Sequence, residues 1–239
     1  DMAKNKEFNY DEIETGYYDN VFKKKSGIRS AWHHIKFSYL KKEIDQKNIH
    51  LDIGCGAGTF LGQLNNSKSY GLDIAKKQIL YAKKHYKNNK TKFILMKKNK
   101  IPLKSKSVDS ITILDLIEHL KNNEIRSLLN ESHRVLKKNG KILITTPNYI
   151  SMWPILEFIV NSVSDLSYED QHINKFNIFR IKKIFDKKKF KISSLKSFIF
   201  LSPFLAFISF NISTRLIYLD NLITRILPGH LLYLKLKKF

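Results

Sequence analysis

The sequence predicts an α/β fold built on a parallel sheet. Short apolar runs rich in Ile, Leu or Tyr alternate with longer stretches of helical period, and a glycine turn follows the first run. The apolar runs predict strands at 48–53, 69–73, 92–96, 109–114 and 141–146. The longer stretches predict helices at 30–46, 59–66, 75–87, 121–137 and 177–188.

Two stretches fit this alternation poorly, and a third extends it. Residues 150–168 are apolar but interrupted, and residues 197–214 form an uncharged run that reaches the lower length limit for a membrane span. Pro203, four serines and Asn211 disfavour a span and favour a buried or membrane-surface helix. Residues 230–239 alternate apolar and polar side chains, which predicts a final strand.

The composition is that of a globular protein with an unusual charge. Hydrophobic residues make up 43% of the 239 residues, and the net charge is +22. The charge indicates either an anionic partner or the abundance of Lys, Asn and Ile typical of an AT-rich genome. The single Cys55 excludes a disulfide within the chain, and the polar N-terminus lacks a secretory signal, so we expect a cytoplasmic protein. The histidines are scattered along the sequence, so no metal site is expected.

The glycine turn predicts a nucleotide site. In LDIGCGAGTF, Gly54, Gly56 and Gly58 form GxGxG and let the backbone approach a ligand, whereas the dinucleotide fingerprint is GxGxxG. The turn is expected to open a helix whose N–H groups point at that ligand. Asp73 ends the second predicted strand and can accept two ribose hydroxyls. The alternative role for Asp73 is an N-cap of helix 75–87.

Four segments together resemble the class I S-adenosylmethionine-dependent methyltransferases, and most closely the ubiquinone-biosynthesis O-methyltransferase group. They are LDIGCGAG, GLDIA, SITILDLIEHL and RVLKKNGKILITTPN, within residues 48–148. The resemblance implies a Rossmann-like, doubly wound, seven-stranded sheet with an antiparallel last strand. We expect a single domain over 1–239, with lid helices in 1–46, a cofactor-binding core in 47–148, and apolar acceptor-side insertions at 149–176 and 197–228.

The resemblance also implies which residues contact S-adenosylmethionine. Lys36, in GIRSAWHHIKFSYL, would meet the methionine carboxylate, with Arg29 as the alternative. One departure concerns adenine: Lys97 stands where the family has an acidic residue, so Asn99, backbone carbonyls or packing would replace it. The remaining expected contacts are Asp52, Gly54, Cys55, Gly56 and Gly58 around the methionine part, Asp73 with Ile74 at the ribose, and Asp115 with Leu116 near the sulfonium.

Two histidines are candidates for the base that a hydroxyl acceptor needs, because neutral imidazole can take a proton at physiological pH. His119 follows Glu118 in IEHL, and His172 lies in EDQHINKF, which resembles a segment facing the acceptor. Either histidine could instead have a structural role. The apolar insertions favour a small-molecule, lipid-linked or sugar acceptor, with the protein on the anionic inner face of the membrane. An RNA methyltransferase is the alternative, and a non-catalytic cofactor-fold protein is the third hypothesis.

Overall fold

A single seven-stranded sheet organises the protein. The computed structural model describes residues 14–97, 100–163 and 172–239, with backbone alone at 159–163. The strands are β1 (Ile49–Ile53), β2 (Lys68–Asp73), β3 (Thr91–Leu95), β4 (Val108–Leu114), β5 (Leu136–Pro147), β6 (Phe190–Phe198) and β7 (Leu231–Lys238). Their order is β3-β2-β1-β4-β5-β7-β6. Strands β1 to β5 pair in parallel, and β7 runs antiparallel to β5 and β6. The predicted Rossmann-like sheet with an antiparallel last strand is confirmed.

Helices cover both faces of this sheet. They are α1 (Tyr17–Lys23), α2 (Gly27–Lys42), α3 (Lys76–Tyr86), α4 (Asn122–Val135), α5 (Trp153–Val163), α6 (Phe210–Arg215) and α7 (Ile217–Ile223). The apolar face of α4 packs with alternate β7 residues such as Leu232 and Leu234. On the other face, α2 packs with the intervening Leu231 and Tyr233. Alternate strand residues point to opposite faces, so β7 is buried on both.

Two predicted helices are wrong, and polar side chains explain why. Residues 59–66 form only a 3₁₀ turn at Leu61–Gln63, because the Asn66 amide donates to two carbonyls and holds the next residues in a loop. Residues 177–188 likewise contain one short turn at Ile181–Lys183. The side-chain Oδ1 of Asn177 accepts the backbone N–H groups of Phe179 and Arg180 there and competes with helix formation.

The predicted helix 121–137 ends earlier than expected. Helix α4 stops at Val135, because Leu136 pairs with Val108 and already belongs to β5. The predicted stop at Lys138-Asn139-Gly140 therefore lies within the strand, where Asn139 has a positive φ of 64°. Strand β6 was not predicted, whereas residues 230–239 form β7 as expected.

The apolar run 197–214 is not one helix, so that prediction is wrong. It contains the end of β6, a 3₁₀ helix over Ser202–Phe207, and most of α6. Within the described ranges, no helix combines the length and apolar character that crossing a bilayer requires. The buried Asp220 carboxylate holds this region together, because it accepts the backbone N–H groups of Phe200, Leu201 and Ser202 at 2.9–3.2 Å.

Candidate active site

The turn after β1 has a backbone that glycine adopts most readily. Gly54, Gly56 and Gly58 have φ values of +75°, +50° and +80°. A Cβ on Gly58 would lie 2.8 Å from the Phe93 ring, and one on Gly54 would lie 3.0 Å from Leu116. A Cβ on Gly56 would meet nothing within 4 Å. The turn therefore packs tightly at both ends and is open at its centre.

The turn does not open a helix, contrary to expectation. The backbone amides of Gly54 and Cys55 both donate to the Leu72 carbonyl, at 2.8 and 3.0 Å, which ties the turn to the end of β2. A 3₁₀ turn follows instead. Any ligand N–H contacts must therefore come from the turn itself. The Cys55 thiol is buried among carboxylates, and burial raises its pKa well above the usual value, so it is not a reactive thiolate.

Asp73 joins the glycine turn to α3. One carboxylate oxygen accepts the Gly56 N–H and the other accepts the Ala75 N–H, each at 2.8 Å. Ala75 is the N-cap residue of α3 and no side chain caps that helix, so the alternative role of Asp73 as the N-cap is wrong. The carboxylate is half-buried. The neighbouring Ile74 side chain is 47% exposed, which gives the edge of this space an apolar surface.

Asp52 lies at the end of a buried polar chain that crosses the sheet. The Thr112 hydroxyl donates to Asp52 at 2.6 Å, and His50 contacts Thr112 and Ser110 at 3.0 and 2.8 Å. Because the Thr112 hydrogen goes to Asp52, the His50 Nε2–H must donate to Thr112. Burial lowers the pKa of His50 to about 3, so His50 stays neutral. Burial raises the pKa of Asp52 to about 7, and the charge of Asp73 adds to this.

Asp115, directly after β4, pairs with Lys36 of α2. The Lys36 ammonium contacts one Asp115 oxygen closely, and the Thr145 hydroxyl donates to the other at 2.7 Å. Asp115 has a positive φ of 48°, in the left-handed region that Asp adopts more readily than most residues. Burial favours its neutral acid form, but the charge of Lys36 together with the hydrogen bonds from Lys36 and Thr145 lowers the pKa of Asp115. Lys36 is 3% exposed, whereas the Asp115 side chain is 30% exposed, so water reaches the pair from the carboxylate side.

Helix α1 holds α2 over the glycine turn. Asp19 is fully buried and accepts hydroxyl groups from Thr59 and Tyr81, both at 2.9 Å. The Arg29 guanidinium donates to the Tyr17 hydroxyl at 2.5 Å. The structure therefore brings Lys36, rather than Arg29, to the end of β4.

Both candidate histidines lie in one cluster beyond Asp115. The rings of His119 and His172 are 4.9 Å apart, and donor atoms of these two residues and Glu118 lie within 4.8 Å of one another. Glu118 is buried and accepts the Thr146 hydroxyl at 2.9 Å. Burial raises the pKa of Glu118 well above its usual value, and the charge of nearby Asp115 raises it further. Sequence spacing gave no sign that the two histidines meet.

His172 is fixed by residues that the sequence analysis missed. Its Nδ1 lies 2.5 Å from a Glu157 oxygen and 2.7 Å from the Tyr149 hydroxyl. The Tyr149 hydroxyl donates to Glu157 at 2.9 Å. Burial opposes ionisation of Glu157, but hydrogen bonding and the charge of His172 lower its pKa. Glu157 is the acidic residue of the otherwise apolar helix α5. A lone carboxylate in an apolar helix could have indicated from the sequence that it has a buried polar partner.

Backbone contacts hold the cluster's loops together. The backbone N–H of Asn174 donates to the Glu118 carbonyl at 2.9 Å, and the side-chain amide of Asn174 donates to the Leu120 carbonyl at 2.5 Å. The Tyr149 N–H donates to the Phe176 carbonyl at 2.9 Å. At the adenine side, Lys97 pairs through its backbone with Lys100, whereas Asn99 lies outside the described residues.

The sheet order, the glycine turn and the acidic strand ends have the arrangement that the resemblance to class I, S-adenosylmethionine-dependent methyltransferases implied. A family model described as a methyltransferase domain matches residues 51–144, the part of the chain that holds the glycine turn, Asp73 and the end of β4. S-adenosylmethionine is therefore the expected cofactor. The residues present fit it, because the turn is open at Gly56 beside the half-buried Asp73 carboxylate.

Individual relatives are similar over part or most of the chain. A ubiquinone biosynthesis O-methyltransferase of Pelagibacter ubique is 39% identical over 106 residues, which is 43% of this chain and 43% of that protein. An uncharacterized protein of Methanocaldococcus jannaschii is 29% identical over 187 residues, 78% of this chain and 63% of that protein. The match thus spans less than two thirds of either relative.

Solved structures share the fold. A SAM-dependent methyltransferase from Archaeoglobus fulgidus has a TM-score of 0.63 at 19% identity, covering 93% of this chain and 99% of that one. One from Aquifex aeolicus has a TM-score of 0.60 at 15% identity, covering 93% and 98%. At these identities the likeness concerns the fold alone.

Proposed function

We propose that this protein transfers a methyl group from S-adenosylmethionine to an oxygen atom of a small-molecule, lipid-linked or sugar acceptor. When bound, the cofactor supplies a methyl group already activated by a sulfonium. The observation that carries the proposal is the position of the His119–His172 pair beyond Asp115, at the carboxyl end of β4. Ligands of open α/β sheets bind at that edge. Imidazoles there can take the proton of a hydroxyl.

The cofactor-binding residues are proposed as a set around the glycine turn. Asp73 would accept the ribose hydroxyls, since its half-buried carboxylate faces the open centre of the turn. Asp52 would take the methionine ammonium, and Lys36 would turn from Asp115 to the methionine carboxylate. Gly54, Gly56 and Gly58 with Cys55 would line the methionine part, Ile74 the ribose, and Leu116 the sulfonium side.

His172 and His119 are the proposed bases, and their surroundings differ. The Glu157 carboxylate fixes the ring of His172 and would stabilise its protonated form. His119 is half-buried, and its ring is tilted against His172. Replacing each with alanine should lower the rate of methyl transfer by about 10²–10⁴-fold if that ring takes the proton. Cofactor affinity, measured by calorimetry, should stay unchanged in both variants.

Surface side chains support a lipid-linked acceptor. In the insertion at 197–228, Phe207, Ile208 and Ile226 are 79–87% exposed. Arg215 and Arg225 are exposed as well, and the insertion's one carboxylate, Asp220, is buried. An exposed apolar surface flanked by positive charge suits the interface of an anionic membrane. A cytoplasmic protein bound to the inner membrane face would carry this surface.

Vesicle sedimentation tests this localisation. The protein should sediment with anionic liposomes and be released by salt, since charge attraction is screened within about 10 Å at 0.1 M salt. Phe207→Ser should weaken sedimentation without changing circular dichroism. Phe204→Ser is the matched control, because Phe204 is only partly exposed and lies against His230. Sedimentation that does not respond to Phe207→Ser would argue against this surface.

Incubation with labelled S-adenosylmethionine tests the acceptor class. Label transferred from the cofactor should appear in a lipid or small-molecule extract in a form that resists dilute acid and base, as an ether does. Label in transfer RNA, with binding that falls steeply with salt, would instead support the RNA alternative. Asp73→Ala is the control without bound cofactor.

A further inference from the structure

The cluster beyond β4 has the donor atoms of a metal site. Glu118 offers a carboxylate oxygen, and His119 and His172 each offer a ring nitrogen, with all three atoms within 4.8 Å of one another. Two imidazoles and one carboxylate form the donor set of several catalytic zinc sites, which keep a further position open for water or substrate. We infer that Glu118, His119 and His172 bind one divalent cation of the zinc type.

The surroundings of His172 support this inference independently of the distances. A histidine that binds a metal usually donates its other ring N–H to a carboxylate, which fixes the ring and its tautomer. Here Nδ1 of His172 lies 2.5 Å from Glu157, with the Tyr149 hydroxyl at 2.7 Å. With Nδ1 committed in this way, Nε2 is the nitrogen with which His172 binds the ion.

The carboxylate ligand is supported in the same manner. Glu118 is 1% exposed, and one of its oxygens accepts the Thr146 hydroxyl at 2.9 Å. A carboxylate this deeply buried beside Asp115 is costly unless positive charge compensates it. Lys36 contacts Asp115 rather than Glu118. A cation between Glu118 and the two imidazoles would compensate the charge of the ionised carboxylate.

The geometry requires a small adjustment of side chains. Tetrahedral zinc with bonds of about 2.0–2.2 Å places its ligand atoms about 3.3 Å apart. To bind one ion, the three donors would therefore have to close by about 1.5 Å at most from their present separation. The backbone N–H of Asn174 donates to the Glu118 carbonyl and its side-chain amide donates to the Leu120 carbonyl, and these two bonds connect the two loops.

Such an ion deepens the proposed function, and its catalytic part rests on that function. The cation would bind the acceptor oxygen at its open position and lower the pKa of the hydroxyl. The O–H bond breaks and the proton leaves to solvent. The oxygen electron pair then forms the bond to the methyl carbon, while the C–S bond breaks with its pair remaining on sulfur. With the ion bound, the imidazoles serve as ligands rather than as bases.

Metal titration tests the inference without cofactor or acceptor. Tag-free protein is stripped with a chelator and titrated with Zn²⁺ by calorimetry, and with Co²⁺ by visible absorption. We expect one saturable site and a tetrahedral or five-coordinate Co²⁺ spectrum. His119→Ala and His172→Ala should each weaken binding by more than about tenfold, and Glu157→Gln by about 10–100-fold. His85→Ala is the matched control, because His85 is exposed and lies on α3.

The outcomes separate this inference from the proposed function. Absence of a saturable site would overturn the inference, as would equal affinity in the double variant His119→Ala/His172→Ala. Neither result would contradict the proposed methyl transfer. If His172→Ala loses its circular dichroism, His119→Ala and Glu157→Gln decide the question, since His119 is only half-buried. Failure to bind S-adenosylmethionine would contradict the proposed function and leave the titration result standing.

Discussion

Cofactor affinity should rise with pH between 5 and 7 because of Asp52. Burial holds the pKa of this carboxyl at about 7, so below that value it is mostly neutral. If the ionised form receives the methionine ammonium, affinity follows the ionised fraction. That fraction grows from about 1% at pH 5 to about 50% at pH 7, which predicts an increase of about 50-fold, or about 2.3 kcal/mol.

Stability of the ligand-free protein should change in the opposite direction. In the unfolded chain Asp52 has its ordinary pKa of 3.8, so the unfolded state loses its proton first as the pH rises. Between about pH 4 and pH 7 the folded state binds more protons, and this group lowers the free energy of unfolding by up to about 1.4 kcal/mol per pH unit. Above pH 7 both states are ionised and the contribution becomes constant.

Isothermal titration with S-adenosylmethionine at half-unit steps measures the affinity profile. Repeating pH 6 in buffers of different ionisation enthalpy should reveal the release of nearly one proton on binding. Asp52→Asn should bind weakly and show a much flatter profile, while Thr112 can still donate to the new amide oxygen. A flat wild-type profile, or an unchanged slope in Asp52→Asn, would refute the assignment of Asp52.

Three further variants test other contacts. Lys36→Met leaves Asp115 without its counter-charge and should lower the free energy of unfolding by about 2–3 kcal/mol in urea, in addition to weakening cofactor binding; cofactor affinity lost without any stability change would contradict the ion pair. Gly58→Ala combines a positive φ with a crowded Cβ and should cost about 2–4 kcal/mol, whereas Gly27→Ala, where a Cβ meets nothing, should cost about 1–2 kcal/mol. Asp19→Asn places an amide among hydroxyl donors and should cost about 2–3 kcal/mol, seen as faster proteolysis within α1; protection equal to wild type would show that the buried carboxylate is not what holds that helix.

The sheet was predictable where strands are apolar and buried on both faces. Strands such as β1 and β4 appear in the sequence as short, nearly continuous apolar runs. Strand β6 was missed because it lies at the sheet edge and its residues FKISSLKSF carry serines and lysines. The helix predicted at 177–188 is the opposite error, an element predicted that does not form. Ile181, Ile184 and Phe185 have helical spacing and are buried, but they span only a single turn.

The cofactor half of the site was more predictable than the acceptor half. The glycines and Asp73 are local features, and a strand-turn motif places them by itself. The meeting of His119 with His172 depends on how the chain returns after β5, across a separation of 53 residues. The Lys36–Asp115 pair spans 79 residues and depends on how α2 crosses the strand ends. Neither contact can be predicted from the spacing of motifs in a single sequence.

The buried Asp220 carboxylate helps to keep residues 197–228 in one conformation. Many apolar side chains of residues 197–228 are exposed and therefore contribute little to the core, so apolar packing alone would not order this segment. The Asp220 carboxylate accepts hydrogen bonds from the backbone N–H groups of residues 200–202, and the Ser213 hydroxyl donates to the Ser202 carbonyl at 2.7 Å. The order of the segment thus comes from polar bonds on its inner side. Its outer side chains are therefore open to substitution, and acceptor or surface preference can diverge there while the fold is kept.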